Sequence, residues 1–151
     1  MGYYVGLRKN EIIKLDWENI SWEKKCMIIL ESKGGKSRSV YFGSKVKETL
    51  EEYRKKIGYY KDAVVRGLPG RKRIHKTSLQ NIIHKKLFVE LGIYRPGLTL
   101  HSLRHSCATG LNRLNISLFA LKDFLGHEDA NTTQQYIHDT EAELREAVEK
   151  L

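Results

Sequence analysis

The pattern of apolar and polar positions predicts a mainly helical chain with one short β-hairpin. Two runs rich in β-forming residues, Cys26 to Glu31 and Arg38 to Phe42, flank the segment SKGGKS, whose two glycines favour a tight turn. Apolar residues at helical spacing predict helices from before Arg8 to near Asp16, Ser44 to Ile57, Thr77 to Leu91, His101 to Leu114, Ser117 to Gly126, Thr132 to Ile137 and Thr140 to Leu151. We therefore expect an α+β domain, mainly helical, with a small antiparallel sheet.

Several predicted helices carry residues that favour helix ends. Ser44 can cap the helix that begins there, and Gly58 can end it. Thr77 and Gln80 have the spacing of a capping box, and Gly92 follows the same helix. The segment from Gly67 to Lys72, GLPGRK, is predicted to be a loop.

The last predicted helix has a narrow apolar stripe on an otherwise acidic segment. Leu144, Val148 and Leu151 repeat at i, i+4 and i+7. The stripe can pack on its own domain or dock on a neighbouring protomer. The sequence leaves both alternatives open.

Length and composition are those of one globular domain of 151 residues, with 40% hydrophobic and 30% charged residues. Its apolar runs, such as Met27 to Leu30, fall far short of the roughly 20 residues needed to cross a bilayer, and no signal peptide precedes Tyr3. Cys26 and Cys107 fit no disulfide or metal-binding spacing, so we expect reduced core residues. We expect a cytoplasmic protein.

The charge of the chain points to an anionic partner. The net charge is +9, with a pI near 9.5. The excess is concentrated between residues 61 and 95, which contain Lys61, Arg66, Arg71, Lys72, Arg73, Lys76, Lys85, Lys86 and Arg95 against Asp62 and Glu90. Nucleic acid is the first candidate, and a solvated basic surface is the alternative.

The stretch HSLRHSC, residues 101–107, suggests either a metal site or an anion site. His101, Arg104 and His105 share one face of the predicted helix. The histidine spacing is that of a zinc protease motif, but Ser102 stands where that motif has its glutamate, and the charge of Arg104 would repel a dication. The same guanidinium can donate to two phosphate oxygens. A purely structural histidine pair is a third reading.

Other motifs along the chain contain groups that suit a phosphate. They are Arg8 in GLRKNE, Lys33 and Lys36 on the hairpin turn, His127 after Gly126, and Tyr136 in TTQQYIH, nine positions later. Each alone is more often a surface charge or a packed aromatic. In this order, with HSLRHSCAT and LGHEDANTTQQYIH, they resemble the catalytic domain of the tyrosine recombinases of the phage integrase and Xer type. The resemblance extends from Val5 to His138.

The resemblance implies a reaction at a DNA phosphodiester. Tyr136 would attack the phosphorus, leaving a 3′-phosphotyrosine and a free 5′-hydroxyl, without metal, cofactor or ATP. Arg8 and Arg104 would clamp the non-bridging oxygens, with His101 and His127 adding hydrogen bonds. A hairpin lysine would be the general acid, with Lys33 the first choice and Lys36 the second.

Neighbouring residues receive lesser roles. His105 would orient its neighbours, and Glu11 either hydrogen-bonds within the site or forms an ordinary surface pair with Arg8. Ser102 and Thr133 are read as structural. Further DNA contacts are expected from Lys36, Arg38, Arg71, Lys72, Arg73 and Lys76.

The resemblance also carries expectations about partners and domain organisation. The partner would be double-stranded DNA, bound by a homo-oligomer that forms a tetrameric synapse and associates with the nucleoid, with residues 140–151 as a candidate protomer contact. The family places a core-binding domain before the GLR motif, whereas seven residues precede Arg8, so we expect residues 1–151 to be a catalytic domain that lacks this domain. The alternatives are DNA relaxation of the type IB topoisomerase kind and a non-catalytic DNA-binding regulator on the same scaffold.

Overall fold

The computed structural model describes residues 1–30, 37–58, 61–67, 73–126 and 137–151. It confirms a mainly helical α+β fold with a small antiparallel sheet. The elements are α1 (Lys9–Lys14), a 3-10 turn (Trp17–Asn19), β1 (Ile20–Ser21), β2 (Cys26–Leu30), β3 (Ser37–Tyr41), α2 (Ser44–Ile57), α3 (Lys76–Asn81), a π-helical segment (Ile82–Leu87), α4 (Phe88–Glu90), α5 (Leu100–Arg113), α6 (Leu118–Leu125) and α7 (Ile137–Lys150).

The sheet has the strand order β1-β2-β3, and both pairings are antiparallel. The β2–β3 hairpin confirms the predicted pair of strands, with Cys26 opposite Tyr41 and Leu30 opposite Ser37. Strand β1 was not predicted, because two residues are too short to show an alternating pattern. The predicted turn in SKGGKS lies outside the described residues.

Helix α2 has the predicted bounds, but its first turn is capped differently. Gly58 ends it in the left-handed conformation, at φ +61°. The N-cap residue is Gly43, and the amide of Ser44 donates to Oε2 of Glu149 at 2.8 Å. The Ser44 hydroxyl donates to the other oxygen of Glu149 at 3.1 Å. A carboxylate from α7 therefore supplies the cap expected of Ser44.

Two other helix starts differ from the prediction. Helix α1 begins at Lys9, with Arg8 as its N-cap, so the expectation that it begins before Arg8 is wrong. Helix α3 begins at Lys76, where Nδ1 of His75 accepts from the amide of Thr77 at 3.4 Å; the predicted Thr77 capping box is wrong. A histidine or arginine N-cap is uncommon, which is why the sequence favoured other residues.

The later helices lie close to their predicted positions. Thr99 caps α5, and the hydroxyl of Ser117 caps α6 by accepting from the amide of Ala120 at 3.1 Å. Gly126 ends α6 at φ +67°. Helix α7 begins at Ile137, earlier than predicted, and most of the predicted helix before it lies outside the described residues.

The core lies between the sheet and the helices. Its largest fully buried side chains include Phe42, Phe88 and Phe124, and Cys107 and Cys26 are buried, free cysteines, as predicted. Helix α7 packs on α6 and β3. Its stripe is covered by its own domain, with Leu144 and Val148 buried. In the described parts of the chain, no helix has both the length and the apolar composition to cross a bilayer.

Candidate active site

A cleft of about 820 Å³ lies between α1, α3 and the start of α5. Three side chains from two separate motifs, Arg8 from GLR and His101 and Arg104 from HSLRH, line it together with Gly126 at the end of α6. Lys9, Lys76, Gln80 and His84 also line it. The fold therefore brings the GLR and HSLRH motifs to one cavity.

Arg104 is buried, with 5% of its surface exposed. Its Nη1 donates to the carbonyl of Gly6 at 2.5 Å, and its Nη2 donates to the carbonyl of Leu125. Burial, followed by the positive charge of nearby Arg8, lowers the pKa of Arg104 to about 10. The guanidinium still carries its charge at neutral pH, and two backbone acceptors set its direction.

Arg8 lies beside Arg104 at the start of α1. Its Nη2 donates to the carbonyl of Gly126 at 2.7 Å, and its Nη1 contacts Oε1 of Glu11 at 3.2 Å. The backbone amide of Arg8 donates to Oε2 of the same carboxylate at 2.6 Å. The side chain is 42% exposed. Its guanidinium is thus held at two points while remaining accessible from the cleft.

The end of α6 attracts these guanidiniums for a simple electrostatic reason. The last carbonyls of a helix have no partner within the helix, and they form the negative end of its dipole. The carbonyls of Phe124, Leu125 and Gly126 accept from Arg38, Arg104 and Arg8, respectively. Three arginines from different elements therefore meet at one helix end.

Arg38 approaches the same point from β3. Its side chain is 9% exposed, its Nη2 pairs with Oε1 of Glu11 at 2.9 Å, and its Nε donates to the carbonyl of Phe124 at 3.4 Å. A Cβ atom built on Gly126 would lie 2.7 Å from the Arg38 Cζ. Gly126 therefore serves two purposes, a left-handed turn and close contact with a guanidinium.

Glu11 connects Arg8 with Arg38. Burial raises the pKa of its carboxyl, but the hydrogen bond from the Arg8 amide and the charge and hydrogen bond of Arg38 outweigh burial. The pKa of Glu11 is consequently lower than usual, and the group is ionised at neutral pH. Of the two readings of Glu11, the structure supports bonding within the site, because the side chain is only 11% exposed and pairs with both Arg8 and Arg38.

His101 and His105 occupy one face of the first turns of α5. Their rings meet edge to face, with centroids 4.6 Å apart. Ser102 is structural, as predicted, because it exchanges hydrogen bonds with Thr99 in the cap of α5. Within the described ranges, no group of three or more His, Cys, Asp or Glu side chains is arranged to hold a metal.

A protein-family model covers the residues that form this site. The model of the Phage integrase family matches residues 1–143. The chain belongs to this family. It is 32% identical over 149 residues to a tyrosine recombinase of Pseudothermotoga lettingae, covering 99% of this chain and 51% of the relative. It is 33% identical over 153 residues to the tyrosine recombinase XerA of Pyrococcus horikoshii, covering 98% and 51%.

Solved structures agree with the integrase-family assignment. A crystal structure of XerA recombinase matches with a TM-score of 0.76 and 26% identity, covering 96% of this chain and 53% of that one. The integrase from mycobacterium phage Brujita matches in fold, with a TM-score of 0.77 at 20% identity, covering 99% and 48%. The chain thus spans about half the length of the relatives it matches.

Several predicted residues of this integrase-family chain lie outside the described residues. They are Lys33, Lys36, Arg71, Lys72, His127, Thr133 and Tyr136. Their assigned roles stay predictions. Gly126, the residue before His127 in the sequence, is the last described residue of its segment and lines the cleft.

Among the remaining predicted DNA contacts, the structure places one side chain in the cleft. Lys76 lines it, near Lys9 and Gln80. Arg73 instead donates to the carbonyl of Ile13 at 2.7 Å and to Asp16 at 2.6 Å, and Arg38 is directed into the domain. DNA contact by these three residues stays a prediction, and the placement of Arg73 and Arg38 favours a role within the protein.

The sequence analysis did not predict the contacts that connect the motifs. The pair between Glu11 and Arg38, and the carbonyls that orient Arg8 and Arg104, have no local signature. Opposite charges occur throughout the chain, and every residue has a carbonyl. Only the fold identifies which of them meet.

Proposed function

We propose that this chain is the catalytic domain of a site-specific DNA recombinase or integrase. The observation that carries the proposal is the meeting of Arg8 and Arg104 at the end of α6, in a cleft that His101 also lines. Two fixed guanidiniums with a neighbouring imidazole suit the non-bridging oxygens of one phosphodiester. Membership of the phage integrase family supports the same conclusion.

In the proposed reaction, Tyr136 Oη forms a bond to phosphorus while the bond to the 5′-oxygen breaks. The leaving oxygen takes a proton from Lys33, or from Lys36 as second choice, and Tyr136 gives up its phenolic proton, with His101 as a candidate acceptor. Arg8, Arg104, His101 and His127 would stabilise the charge that develops on the phosphorane. One phosphoester replaces another, so rejoining is the reverse reaction on a second 5′-hydroxyl.

The cationic cleft also answers a difficulty of the nucleophile. A phenol with a pKa near 10 is only about one part in a thousand ionised at pH 7. Positive charges close to the phosphate and the phenol favour the anionic transition state. Loss of one such donor typically costs about 100-fold or more in rate.

We propose double-stranded DNA as the substrate. The basic composition and the cleft with Lys9 and Lys76 support it. One similar structure, at a TM-score of 0.68 and 25% identity over 84% of this chain and 37% of that one, is XerH site-specific recombinase bound to difH substrate. Binding should weaken steeply with salt, since each neutralised phosphate adds about 0.9 to the log-log slope.

We further propose that protomers assemble on DNA, as a tetrameric synapse. The α7 stripe packs on its own domain, so a protomer contact through residues 140–151 would require this helix to be released. Sedimentation of the chain with duplexes carrying its site should yield a complex of four protomers and two duplexes. A single protomer on each duplex at all concentrations would contradict the assembly.

The decisive experiment is trapping of the covalent intermediate. A pool of duplexes with randomised sequence and one nick is incubated with the protein, and DNA that remains attached after denaturation is sequenced, which also identifies the target site. The protein with its native sequence and the control Tyr94→Phe, at an exposed tyrosine, should form the adduct. Tyr136→Phe should abolish the adduct but retain non-covalent binding.

Other outcomes would separate the alternatives. An adduct without sequence preference, accompanied by relaxation of supercoiled plasmid, would favour a topoisomerase-like activity. Binding without any adduct would favour a regulator. An adduct that persists in Tyr136→Phe would place the nucleophile elsewhere.

A further inference from the structure

Arg38 is a largely buried cation that belongs to none of the motifs that define the site. It lies at the start of β3, two residues after Lys36, and only 9% of its side chain is exposed. A cation in such a position is costly unless it is paired. Its partners therefore indicate what it does.

The first partner connects Arg38 to Arg8. Oε1 of Glu11 accepts from Arg38 Nη2 at 2.9 Å and contacts Arg8 Nη1 at 3.2 Å. One carboxylate oxygen thus fixes both guanidiniums. Loss of Arg38 would leave Glu11 free to move toward Arg8 and draw it away from the cleft.

The second group of partners connects Arg38 to the end of α6. Its Nε donates to the carbonyl of Phe124, its positive charge acts on Asp123, and its guanidinium lies against the Cα of Gly126. The next two carbonyls, of Leu125 and Gly126, orient Arg104 and Arg8. A shift in this helix end would therefore move both arginines together.

We propose that Arg38 is a positioning residue for DNA cleavage, which holds the Arg8 and Arg104 guanidiniums in place through Glu11 and the end of α6 and does not bind DNA itself. This inference rests on the proposed function, because the step it serves is attack by Tyr136. Arg38 also joins this network to strand β3, which follows Lys33 and Lys36 in the sequence.

The test compares cleavage with binding in Arg38→Met. We expect the single-turnover rate of adduct formation at saturating DNA to fall about 10- to 100-fold, as small misplacements of reacting groups do. The dissociation constant for DNA should stay within about twofold, and its log-log salt slope should not change. A residue that contacts phosphate would instead reduce that slope by about 0.9.

Two further variants exclude a general loss of structure. Arg54→Met removes another partly buried arginine, whose Cζ lies 5.4 Å from the centroid of the Trp22 ring and which does not line the cleft. This variant should keep the native cleavage rate. The double variant Glu11→Gln/Arg38→Met, which leaves no ionised carboxylate without its Arg38 partner, should lose less cleavage rate than the product of the two single losses, because the two residues share the Glu11–Arg38 ion pair. If Arg38→Met does not fold, the cleavage rate of the double variant is measured in its place.

The possible failures are distinguishable. If the unaltered chain forms the Tyr136 adduct and Arg38→Met forms it at the same rate, or if the salt slope falls, the role proposed for Arg38 is wrong and the proposed function stands. If the unaltered chain forms no adduct, the proposed function is wrong, and the role of Arg38 with it.

Discussion

Arg8 and Arg104 donate to the carbonyls of two consecutive residues, Gly126 and Leu125. The two carbonyls belong to successive peptide units that share the Cα of Gly126, so the position of one guanidinium relative to the other depends on the backbone torsions of Gly126. Because each peptide unit is planar and only the two torsions at Gly126 lie between them, this arrangement limits independent movement of the two guanidiniums. A change in the backbone at the end of α6 should therefore displace both guanidiniums.

Gly126→Ala tests this dependence. Alanine at 126 would have to adopt φ +67°, and its Cβ would lie 2.7 Å from the Arg38 guanidinium. At Gly58 the φ is +61°, and apart from its chain neighbours no atom of the described residues would lie within 4 Å of the new Cβ. We expect Gly58→Ala to lose about 1–2 kcal/mol of unfolding free energy, from backbone strain alone. Gly126→Ala should lose more, and should also slow adduct formation. Equal losses in urea denaturation would mean that Arg38 moves aside freely.

Arg104→Lys tests the value of the guanidinium fork. A lysine keeps the charge but cannot donate to the carbonyls of Gly6 and Leu125 in the same geometry. We expect a loss of about 1–3 kcal/mol in unfolding free energy, from a buried acceptor left unpaired. Adduct formation should fall about 100-fold. Arg113→Lys, at an exposed position of the same helix, is the matched control and should change neither quantity.

The acid stability of the protein should depend on Glu11. Its folded-state pKa is lower than the ordinary value of 4.5, so its stabilising contribution is complete at pH values above 4.5 and is lost as pH falls through the folded-state pKa. Glu11→Gln should therefore unfold more easily than the native sequence near neutral pH, with a difference that shrinks in acid. Thermal unfolding between about pH 6 and 3 measures this. Glu52→Gln, at an exposed site, is the control for removal of one carboxylate. A difference for Glu11→Gln that stays constant across this pH range would contradict the assignment.

Leu144→Ala tests where the α7 stripe packs in solution. Leu144 is 1% exposed, so truncation should cost about 2–5 kcal/mol. Leu114→Ala, at a residue 37% exposed, should cost far less. The unfolding midpoint of the native sequence should not depend on protein concentration, because the stripe is covered within one chain. A midpoint that rises with concentration would show that a second protomer covers it.

Local signals predicted the helices whose ends are determined locally. Ser117 and Gly126 bound α6, and Gly58 ends α2, as their sequence suggested. The cap of Ser44 was misassigned because its acceptor, Glu149, comes from a distant helix. The short strand β1 is stabilised by its pairing with β2, which no alternation of two residues could reveal.

Local sequence signals likewise predicted one part of the candidate site and not the other. The order of the motifs identified Arg8, His101 and Arg104, and the structure brings all three to one cleft. Arg38 was predicted to contact DNA, and that stays a prediction; the sequence has no local signal that its side chain would be only 9% exposed. Its pair with Glu11 depends on how β3 packs against α1, which the sequence does not encode locally.

The groups that orient Arg104 affect the electrostatic potential that an incoming polyanion encounters. Its two acceptors are peptide carbonyls, which carry dipoles but no net charge. A carboxylate in their place would fix the side chain equally well but would cancel its monopole. Alignment by uncharged groups leaves Arg104 without a directly bonded anion, so its charge acts with those of Arg8 and Arg38, and against that of Glu11, on a phosphate of the proposed substrate.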